Sequence, residues 1–317
     1  APSSGPASDN RTVEERQMSE EGQAKQESMP PAGEIQESTQ AGEEAVLAVT
    51  QGETRQTPEV QQNPETRQTP EAQPVPETQA ALDTQAAQET RAAAGLAEEI
   101  QKEAEAAGLV WSGGRYIDPS KPMIALTFDD GPSDFTDRLL DCLEAKNVKA
   151  TFFLAGQEVE YFQEPVKRME ELGCEFGKHS YDNTDLTTLS ADDAASQLSR
   201  TDQLIQDLTG HIATVVRPPY GSYNDTVAET AARPLILWSV DTLDWETQNA
   251  DSTVQNVMDN ASDGQIILMH DIFKESVDAA EIFIPQLLQE GYQLVTVSEL
   301  AAAKGITLEN GTAYGSF

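Results

Sequence analysis

The chain has 317 residues, of which 24% are charged, and its formal net charge is -35 at pH 7. Both halves of the chain are acidic, which argues against nucleic acid or an anionic membrane surface as a partner. The sequence has no run of about 18 apolar residues and no basic start followed by an apolar centre, so it predicts no membrane span.

Residues 1–108 are rich in Gln, Glu, Pro, Thr, Ala and Ser and contain no Phe, Trp or Tyr. Such a segment cannot bury enough apolar surface to offset its ordering entropy, so we predict a disordered acidic spacer. ETRQTPE at 53–59 returns at 65–71, and a repeat this short and polar has no apolar face to stack into a solenoid. A short helix is predicted at 92–108.

Residues 109–317 hold every aromatic side chain, and about 200 residues suffice for the core of one domain. Short apolar or β-branched runs in this part predict strands. They are MIALTFDD (123–130), KATFFLAG (149–156), CEFGKHS (174–180), ATVVRPPYG (213–221), PLILWSVD (234–241), QIILMHD (265–271) and YQLVTVSEL (292–300).

Helix-like stretches lie between these runs, at 134–147, 163–173, 190–210 and 279–291. The third opens at Ser190, with Asp193 in the capping-box position, and closes at Gly210. Strands that alternate with helices favour a parallel sheet with crossovers. About seven such units predict an α/β fold, a distorted (β/α) barrel.

Ionisable side chains fall at or just beyond the C-terminal ends of five of the apolar runs. In β/α barrels this rim is where functional sites are built, because its loops converge on one opening. The residues are Asp129, Asp130, His179, Arg217, Asp241, Asp244 and His270.

These residues lie in five ordered motifs. TFDDGP (127–132), HSYDN (179–183), RPPYG (217–221), DTLDW (241–245) and LMHD (268–271) resemble the motifs of the polysaccharide deacetylases, the NodB-homology domain of carbohydrate esterase family four. The resemblance runs from about 120 to 300, points towards bacterial peptidoglycan N-acetylglucosamine deacetylases, and covers none of the spacer. Taken singly, each motif also has a structural explanation, as a capped turn, a proline-stiffened loop or a packed histidine.

The resemblance implies a role for each carboxylate of TFDDGP. Asp130 is implied as a metal ligand, and Asp129 as the general base that deprotonates the attacking water. A divalent cation makes this chemistry feasible near neutral pH because it lowers the pKa of water.

The other motifs are implied to complete the catalytic set. Arg217 pairs with Asp129, and the backbone N–H of Tyr220 donates to the developing oxyanion. His270 is the general acid that protonates the leaving amine, and Asp244 orients its ring and keeps it protonated. The residues expected to contact the substrate are Pro219, Trp245 and Leu268.

HSYDN departs from the family pattern H-S/T-x-x-H, because Asn183 stands where the second histidine belongs. The i, i+4 spacing of His179 and Asn183 predicts two side chains on one face of a helical turn, which suits a metal triad with Asp130. Asparagine offers a neutral carbonyl oxygen, so metal binding is expected to be weaker or shifted away from sites that prefer nitrogen.

Three interpretations of Asn183 stay open. The site is a working one formed by Asp130, His179 and Asn183, or it binds metal poorly, or the domain is an inactive sugar-binding descendant. A non-catalytic module has no chemical reason to keep an acid, a base and their partners, which favours the first. His211 follows Gly210 at a helix end, so we expect an exposed loop residue at the opposite mouth of the barrel.

The sequence therefore predicts hydrolysis of N-acetyl groups in an N-acetylhexosamine polymer, peptidoglycan N-acetylglucosamine or a chitin-like glycan. One divalent metal ion is expected as cofactor, zinc in the first place, with cobalt, nickel or manganese as alternatives. Two other functions stay open: an O-acetyl esterase acting on xylan or another glycan, and a non-catalytic glycan-binding wall protein.

The spacer suits a bacterial extracellular or cell-surface protein that reaches a surface polymer. We expect a monomer, with its signal or anchor absent from this sequence. Cys142 and Cys174 lack zinc-ligand spacing, and two cysteines are too few for a disulfide framework. We expect two separate thiols, although a single disulfide stays open.

Overall fold

The computed structural model describes residues 79–317, apart from the side chains of 79–89 and 92. The predicted spacer lies outside the described residues as far as residue 78. The described residues fall into two units, 79–98, which is helical, and 99–317, which holds the sheet. Helix α1, Gln79–Ala106, starts well before the predicted 92–108. The domain boundary at 108 stays a prediction.

The unit at 99–317 is built on a sheet whose strand pairings are all parallel. A small antiparallel hairpin, β1 and β2, precedes it. The strands are β1 (Val110–Ser112), β2 (Arg115–Ile117), β3 (Met123–Asp129), β4 (Thr151–Leu154), β5 (Glu175–Lys178), β6 (Val215–Val216), β7 (Leu235–Ile236), β8 (Val240–Asp241), β9 (Gln265–His270), β10 (Gln293–Val295) and β11 (Ala313–Tyr314).

Helices connect most of the parallel strands. They are α2 (Thr136–Lys146), α3 (Gly156–Tyr161), α4 (Gln163–Glu171), α5 (Ala191–Thr209), α6 (Asp225–Ala231), α7 (Asp244–Thr247), α8 (Ala250–Asn260), α9 (Lys274–Gln289) and α10 (Val297–Ala303). Two short 3-10 turns occur at Leu186–Thr188 and Pro219–Gly221.

The sheet curls back on itself through the segment that holds β7 and β8. β7 pairs with β6 through Leu235 and Val216, and β8 pairs with β9 through Val240 and Ile267. The order continues from β9 through β3, β4 and β5 to β6. β7 and β8 follow each other closely in the chain, so the segment that contains both connects the two ends of this order. β10 pairs with the start of β3. The predicted distorted (β/α) barrel of about seven parallel strands is confirmed.

Alternate residues of β3 point to opposite sides of the sheet, as strand geometry requires. Met123 and Ala125 pack in the apolar interior of the barrel, and Thr127 and Asp129 continue the same face towards the C-terminal rim. The barrel interior is therefore apolar near the N-terminal end of β3 and polar at the C-terminal rim. The residues of β3 that pack against the surrounding helices are Ile124, Leu126 and Phe128.

The caps of α5 are those that the sequence predicts. The side chain of Ser190 accepts a hydrogen bond from the backbone N–H of Asp193, and Gly210 ends the helix with a left-handed φ of 78°. These two residues define the boundaries because they satisfy backbone groups that a helix terminus leaves unpaired.

The predicted strands are longer than the observed ones, most clearly at 213–221, where only Val215–Val216 is a strand, and at 292–300. Of the run at 292–300, only Gln293–Val295 is a strand, and α10 begins at Val297. The Thr296 hydroxyl accepts from the backbone N–H of Glu299, while the Glu299 carboxylate accepts from the backbone N–H of Thr296. This capping box starts a helix where hydrophobicity alone suggests a strand, and its Thr-x-x-Glu pattern is legible in the sequence.

The sequence also leaves α8 unpredicted. Asn249 caps this helix by accepting a hydrogen bond from the backbone N–H of Ser252. Val254, Val257 and Met258 give the i, i+3, i+4 spacing of a helix face, and they pack against the main core. The signal was present, but the polar residues between these positions obscured it.

Residues expected to lie away from a site do so. Cys142 and Cys174 are free thiols, so the disulfide alternative is not formed. His211 is an exposed residue that lies 3.2 Å from a carboxylate oxygen of Glu170. Among the described residues, no helix combines the length and apolarity that a membrane crossing requires.

Candidate active site

A pocket opens at the C-terminal ends of the parallel strands, the edge at which the sequence predicts a site. All of its lining residues except Trp238 belong to the five sequence motifs. The lining residues are Asp129, Asp130, His179, Asn183, Tyr220, Trp238, Asp241, Trp245, Leu268 and His270.

Asp129, at the end of β3, forms a buried ion pair with Arg217. Arg217 Nη1 donates to Asp129 Oδ1 at 2.8 Å and to Thr127 Oγ1 at 2.7 Å. The guanidinium also donates to the backbone oxygens of Ile236 and Leu237, at 3.1 and 2.8 Å. Because Arg217 is fully buried, these contacts compensate for the lost hydration of its charge. The structure thus joins the two residues that the resemblance pairs.

His179 follows β5 and has a fixed ring orientation. Its Nδ1 lies 2.8 Å from the backbone oxygen of Arg217, and because that oxygen only accepts, Nδ1 is the protonated nitrogen. In the neutral ring the lone pair is therefore on Nε2, which lies 3.4 Å from Asp130 Oδ1 and 3.9 Å from Asp129 Oδ2. A metal-ligating imidazole is held in this way by a hydrogen bond at its other nitrogen.

The segment at 179–183 is not the helical turn that its spacing predicts. It forms a non-helical turn in which Ser180 and Asn183 have left-handed φ values of 60° and 59°. Asparagine adopts this conformation more readily than most non-glycine residues. The prediction of two ligands on one helix face is therefore wrong in its geometry, although His179 and Asn183 both line the pocket.

Two buried oxygens in the pocket are orphaned. Within the part of the chain that the structure describes, Asp130 Oδ1 and Asn183 Oδ1 are shielded from solvent and have no hydrogen-bond partner. Buried polar atoms are almost always partnered, and a cation is a partner that both oxygens can share with His179 Nε2. Two oxygens and one imidazole nitrogen suit a divalent cation, with coordination positions left for water or substrate.

The described residues contain no group of three His, Cys, Asp or Glu side chains arranged to hold a metal. The set in this pocket takes its third donor from an amide instead. The residues Asp130, His179 and Asn183 therefore fit the metal ion that the family resemblance implies.

His270 and Asp244 form a second hydrogen-bonded pair at the pocket rim. His270 Nδ1 lies 3.0 Å from Asp244 Oδ1, and Asp244 Oδ2 accepts from the His270 backbone N–H at 2.8 Å and from Ser276 Oγ at 2.6 Å. Burial alone would lower the pKa of His270, but the charge and hydrogen bond of Asp244 raise it to about 10. The pair thus favours a protonated imidazole.

The proposed base and acid occupy paired positions of adjacent strands. In the parallel ladder of β3 and β9, Asp129 is the register partner of His270. Neighbouring residues of parallel strands point to the same face of a sheet, so both side chains face the pocket. The separation of the two groups is set by the ladder itself.

Strained backbone is concentrated around the pocket. Five of the non-glycine residues with positive φ in the described chain belong to the sequence motifs. They are Asp130 (69°), Ser180 (60°), Asn183 (59°), Tyr220 (62°) and Leu243 (57°). Conformations of this kind cost of order 1–3 kcal/mol each and cluster at functional sites.

Tyr220 makes a contact that the sequence does not reveal. Its hydroxyl donates to the backbone oxygen of Asn183 at 2.8 Å, so the RPPYG loop supports the turn that carries Asn183. The assignment of its backbone N–H as an oxyanion donor stays a prediction. Pro219, expected to contact the substrate, is buried and is not among the lining residues of the pocket.

Two lining residues were given no role from the sequence. Trp238 lies between β7 and β8, and the Arg217 guanidinium carbon is 5.6 Å from its ring centroid. Asp241 Oδ1 accepts from the backbone N–H of Leu243 at 2.9 Å, and burial raises the pKa of this carboxyl. Asp241 carried the signal of a strand-end carboxylate, whereas Trp238 was only one residue of an apolar run predicted to be a strand.

The fold and the site define a β/α-barrel domain with a polar pocket at the C-terminal ends of its strands. A family model described as polysaccharide deacetylase matches residues 116–234. The chain is 43% identical over 189 residues to the peptidoglycan-N-acetylmuramic acid deacetylase PdaC of Bacillus subtilis, covering 59% of this chain and 40% of that protein. It is 45% identical over 184 residues to the peptidoglycan-N-acetylglucosamine deacetylase PgdA of Listeria monocytogenes, covering 57% and 39%.

Among solved structures, the chain is similar to a family 4 acetyl xylan esterase from Clostridium thermocellum in complex with a cobalt ion. The TM-score is 0.58 and the identity 33%, and the match covers 61% of this chain and 98% of that one. The chain belongs to the polysaccharide deacetylase family. It spans about two fifths of the length of the two curated relatives.

Proposed function

We propose that the protein is a metal-dependent hydrolase that removes N-acetyl groups from an N-acetylhexosamine polymer. One observation carries this proposal. The orphaned oxygens of Asp130 and Asn183 and the free Nε2 of His179 share a pocket with an arginine-paired carboxylate, Asp129, and a carboxylate-paired imidazole, His270.

The residues of the chain have separable tasks in this reaction. Asp129, paired with the Arg217 cation, accepts a proton from the attacking water. His270 donates a proton to the leaving amine nitrogen, and Asp244 orients its ring and favours the charged form. The backbone N–H of Tyr220 is proposed to donate to the developing oxyanion.

Asp130, His179 and Asn183 would hold the cation. When bound, the ion lowers the pKa of water and polarises the acetyl carbonyl. Zinc is the proposed ion. Cobalt, nickel and manganese are alternatives, because an amide oxygen is a harder donor than imidazole and is compatible with all four ions.

Peptidoglycan is the proposed substrate, and N-acetylglucosamine is the proposed sugar. The support is the identity to PgdA of Listeria monocytogenes, whereas the similar identity to PdaC makes N-acetylmuramic acid the principal competitor. Trp245 and Leu268 line the pocket and are proposed to enclose the acetyl methyl group. A surface polymer as substrate implies an extracellular or cell-surface protein, which is proposed to act as a monomer.

O-deacetylation of xylan is a second candidate, because the similar esterase from Clostridium thermocellum acts on acetyl xylan. The same acid, base and cation would serve an ester. The difference lies in the leaving group, since an alkoxide needs less help from His270 than an amine does.

The test is metal add-back. The chain is stripped with a chelator, reloaded with zinc, cobalt, nickel or manganese, and assayed for acetate released from peptidoglycan, chitin oligomers and acetylxylan. Mass spectrometry of the digested peptidoglycan identifies the deacetylated sugar. We expect acetate from peptidoglycan, abolished by Asp130→Ala and kept by Asp251→Ala, a matched change on the exposed surface of α8. Acetate from acetylxylan alone would favour the esterase, and none with any metal would contradict an enzyme.

A further inference from the structure

Asp271 is a buried carboxylate that none of the steps above uses. It follows His270 directly and is fully shielded from solvent. Its Oδ2 accepts a hydrogen bond from the Thr136 hydroxyl, whereas its Oδ1 has no partner among the described residues. Burial raises the pKa of Asp271 to about 7. Burial of a carboxyl group with an unpartnered oxygen lowers the stability of the fold, which points to a role of Asp271 other than stabilisation.

The unpartnered end of Asp271 lies against Gly131. A Cβ atom added to Gly131 would lie 2.1 Å from Asp271 Oδ1 and 2.6 Å from Oδ2, so the carboxyl group fills the space that a side chain would need. Gly131 follows Asp130, whose φ of 69° turns its carboxylate into the pocket. The position of Gly131 therefore decides where the Asp130 carboxylate points.

A second set of bonds ties the same turn to the end of β9. Ser133 Oγ donates to the backbone oxygen of Asp271 at 2.7 Å. The backbone N–H of Ser133 donates to Thr136 Oγ1, also at 2.7 Å, and that hydroxyl in turn donates to the Asp271 carboxylate. Asp271 thus holds the loop after β3 in three ways: its backbone oxygen binds Ser133, its carboxylate binds Thr136, and the same carboxylate packs on Gly131.

These bonds continue the β3–β9 connection past its last ladder pair. The ladder ends at Asp129 and His270, and beyond it the chains diverge, with Asp130 entering the pocket and Asp271 entering the protein. Without these bonds beyond the ladder, only the left-handed backbone of Asp130 itself would set the direction of its side chain relative to His270.

We propose that Asp271 is a positioning residue, which fixes the turn at 130–136 and so directs the Asp130 carboxylate towards the metal ion. This rests on the proposed function, because Asp130 matters only if it holds the cation. Asp271 touches no reacting atom and acts through Gly131, Ser133 and Thr136.

A comparison inside the same barrel separates this role from plain stabilisation. Glu175 is also a buried carboxylate, at the start of β5 and therefore at the opposite end of the barrel. It accepts hydrogen bonds from Thr151, Thr214 and Ser298, so both of its oxygens are satisfied. A carboxylate retained for stability is expected to be satisfied in this way, which Asp271 is not.

The experiment uses the full chain and three variants of the anchor, Asp271→Ala, Asp271→Asn and Thr136→Val, with Glu175→Gln as the matched control. Zinc affinity is measured by competition with a chromogenic chelator, and hydrogen exchange is followed in the peptide covering 130–136. Melting temperature is recorded for each protein. Asp271→Asn preserves shape, so it keeps the test informative if Asp271→Ala does not fold.

We expect Asp271→Ala to weaken zinc binding by about 10- to 100-fold, the range seen when outer partners of metal ligands are removed. Asp271→Asn and Thr136→Val should weaken it less, and exchange at 130–136 should accelerate in all three. Glu175→Gln should lower the melting temperature and leave zinc affinity and exchange at 130–136 unchanged.

Two results would overturn the proposal. In the first, folded anchor variants bind zinc and exchange amides as the wild type does. In the second, the anchor variants only melt earlier, in the manner of Glu175→Gln. If the wild type itself binds no zinc, the proposed function fails, while exchange at 130–136 still decides whether Asp271 holds the turn.

Discussion

Arg217 and Asp129 form an ion pair at 2.8 Å in which the side chain of Arg217 is fully buried and that of Asp129 is 3% exposed. Both charges are largely removed from solvent, so each depends on the other for its stabilisation. Removing one partner of a buried pair leaves an unpaired charge, which is costlier than the loss of a surface pair.

Arg217→Met should therefore destabilise the fold by about 3–5 kcal/mol. Urea unfolding measures the loss. The control is Arg138→Met, which removes a partly exposed arginine that pairs with Asp278 and Glu281, and it should cost about 1 kcal/mol or less. Equal losses in the two variants would show that burial does not distinguish the pairs.

Asn183→His should tighten zinc binding, because imidazole nitrogen is a better zinc ligand than an amide oxygen. Histidine is among the residues that tolerate the left-handed φ of 59° at this position. Asn183→Ala should weaken binding. Isothermal titration with zinc measures both, and unchanged affinity in both variants would remove Asn183 from the ligand set.

Asp244→Asn should move the alkaline limb of the rate profile to lower pH. Burial lowers the pKa of His270, and Asp244 outweighs burial and raises it to about 10, so loss of the carboxylate charge must lower it. A general acid works only while protonated, and its rate falls as pH rises through its pKa. Acetate release between about pH 6 and 10 tests this, and an unmoved limb would assign the acid elsewhere.

The same shift carries a stability prediction. The folded pKa of His270 lies above the ordinary value of 6.5, so the stabilisation from the pair is fully present below about 6.5 and is lost as pH rises towards 10. The metal-free wild type should therefore lose more stability over this range than Asp244→Asn, as measured by urea unfolding at each pH.

Tyr220→Phe should weaken zinc binding several-fold while keeping the backbone N–H of residue 220. The change removes the hydroxyl that donates to the backbone oxygen of Asn183 at 2.8 Å, and so frees the turn that presents Asn183. Tyr161→Phe is the control, since Tyr161 is 78% exposed and does not line the pocket. Chelator competition that fails to separate the two variants would contradict the supporting role.

The fold was largely predictable because most strands of the barrel are short apolar runs, five of which are followed by an ionisable side chain. Asp129 and His270 could be placed at one rim for this reason, since parallel strands bring their C-terminal ends together. The family resemblance then implied two pairs among the rim residues, and both of them, Arg217–Asp129 and His270–Asp244, occur in the structure.

The parts that escaped prediction depend on local backbone geometry. The turn at 179–183 was expected to be helical because spacing alone does not distinguish a helix from a turn with two left-handed residues. The hydrogen bond of Tyr220 to Asn183 and the packing of Asp271 on Gly131 join residues far apart in sequence. No periodicity reports contacts of this kind.

The register of Asp129 with His270 also sets which changes of length the domain can tolerate over evolutionary time. A one-residue insertion or deletion within β3 or β9 would turn the following side chains to the other face of the sheet and separate the two groups. Insertions in the loops beyond the strand ends leave the pair intact. Relatives that act on different glycans are therefore expected to vary in loop length around an invariant pair of strand lengths.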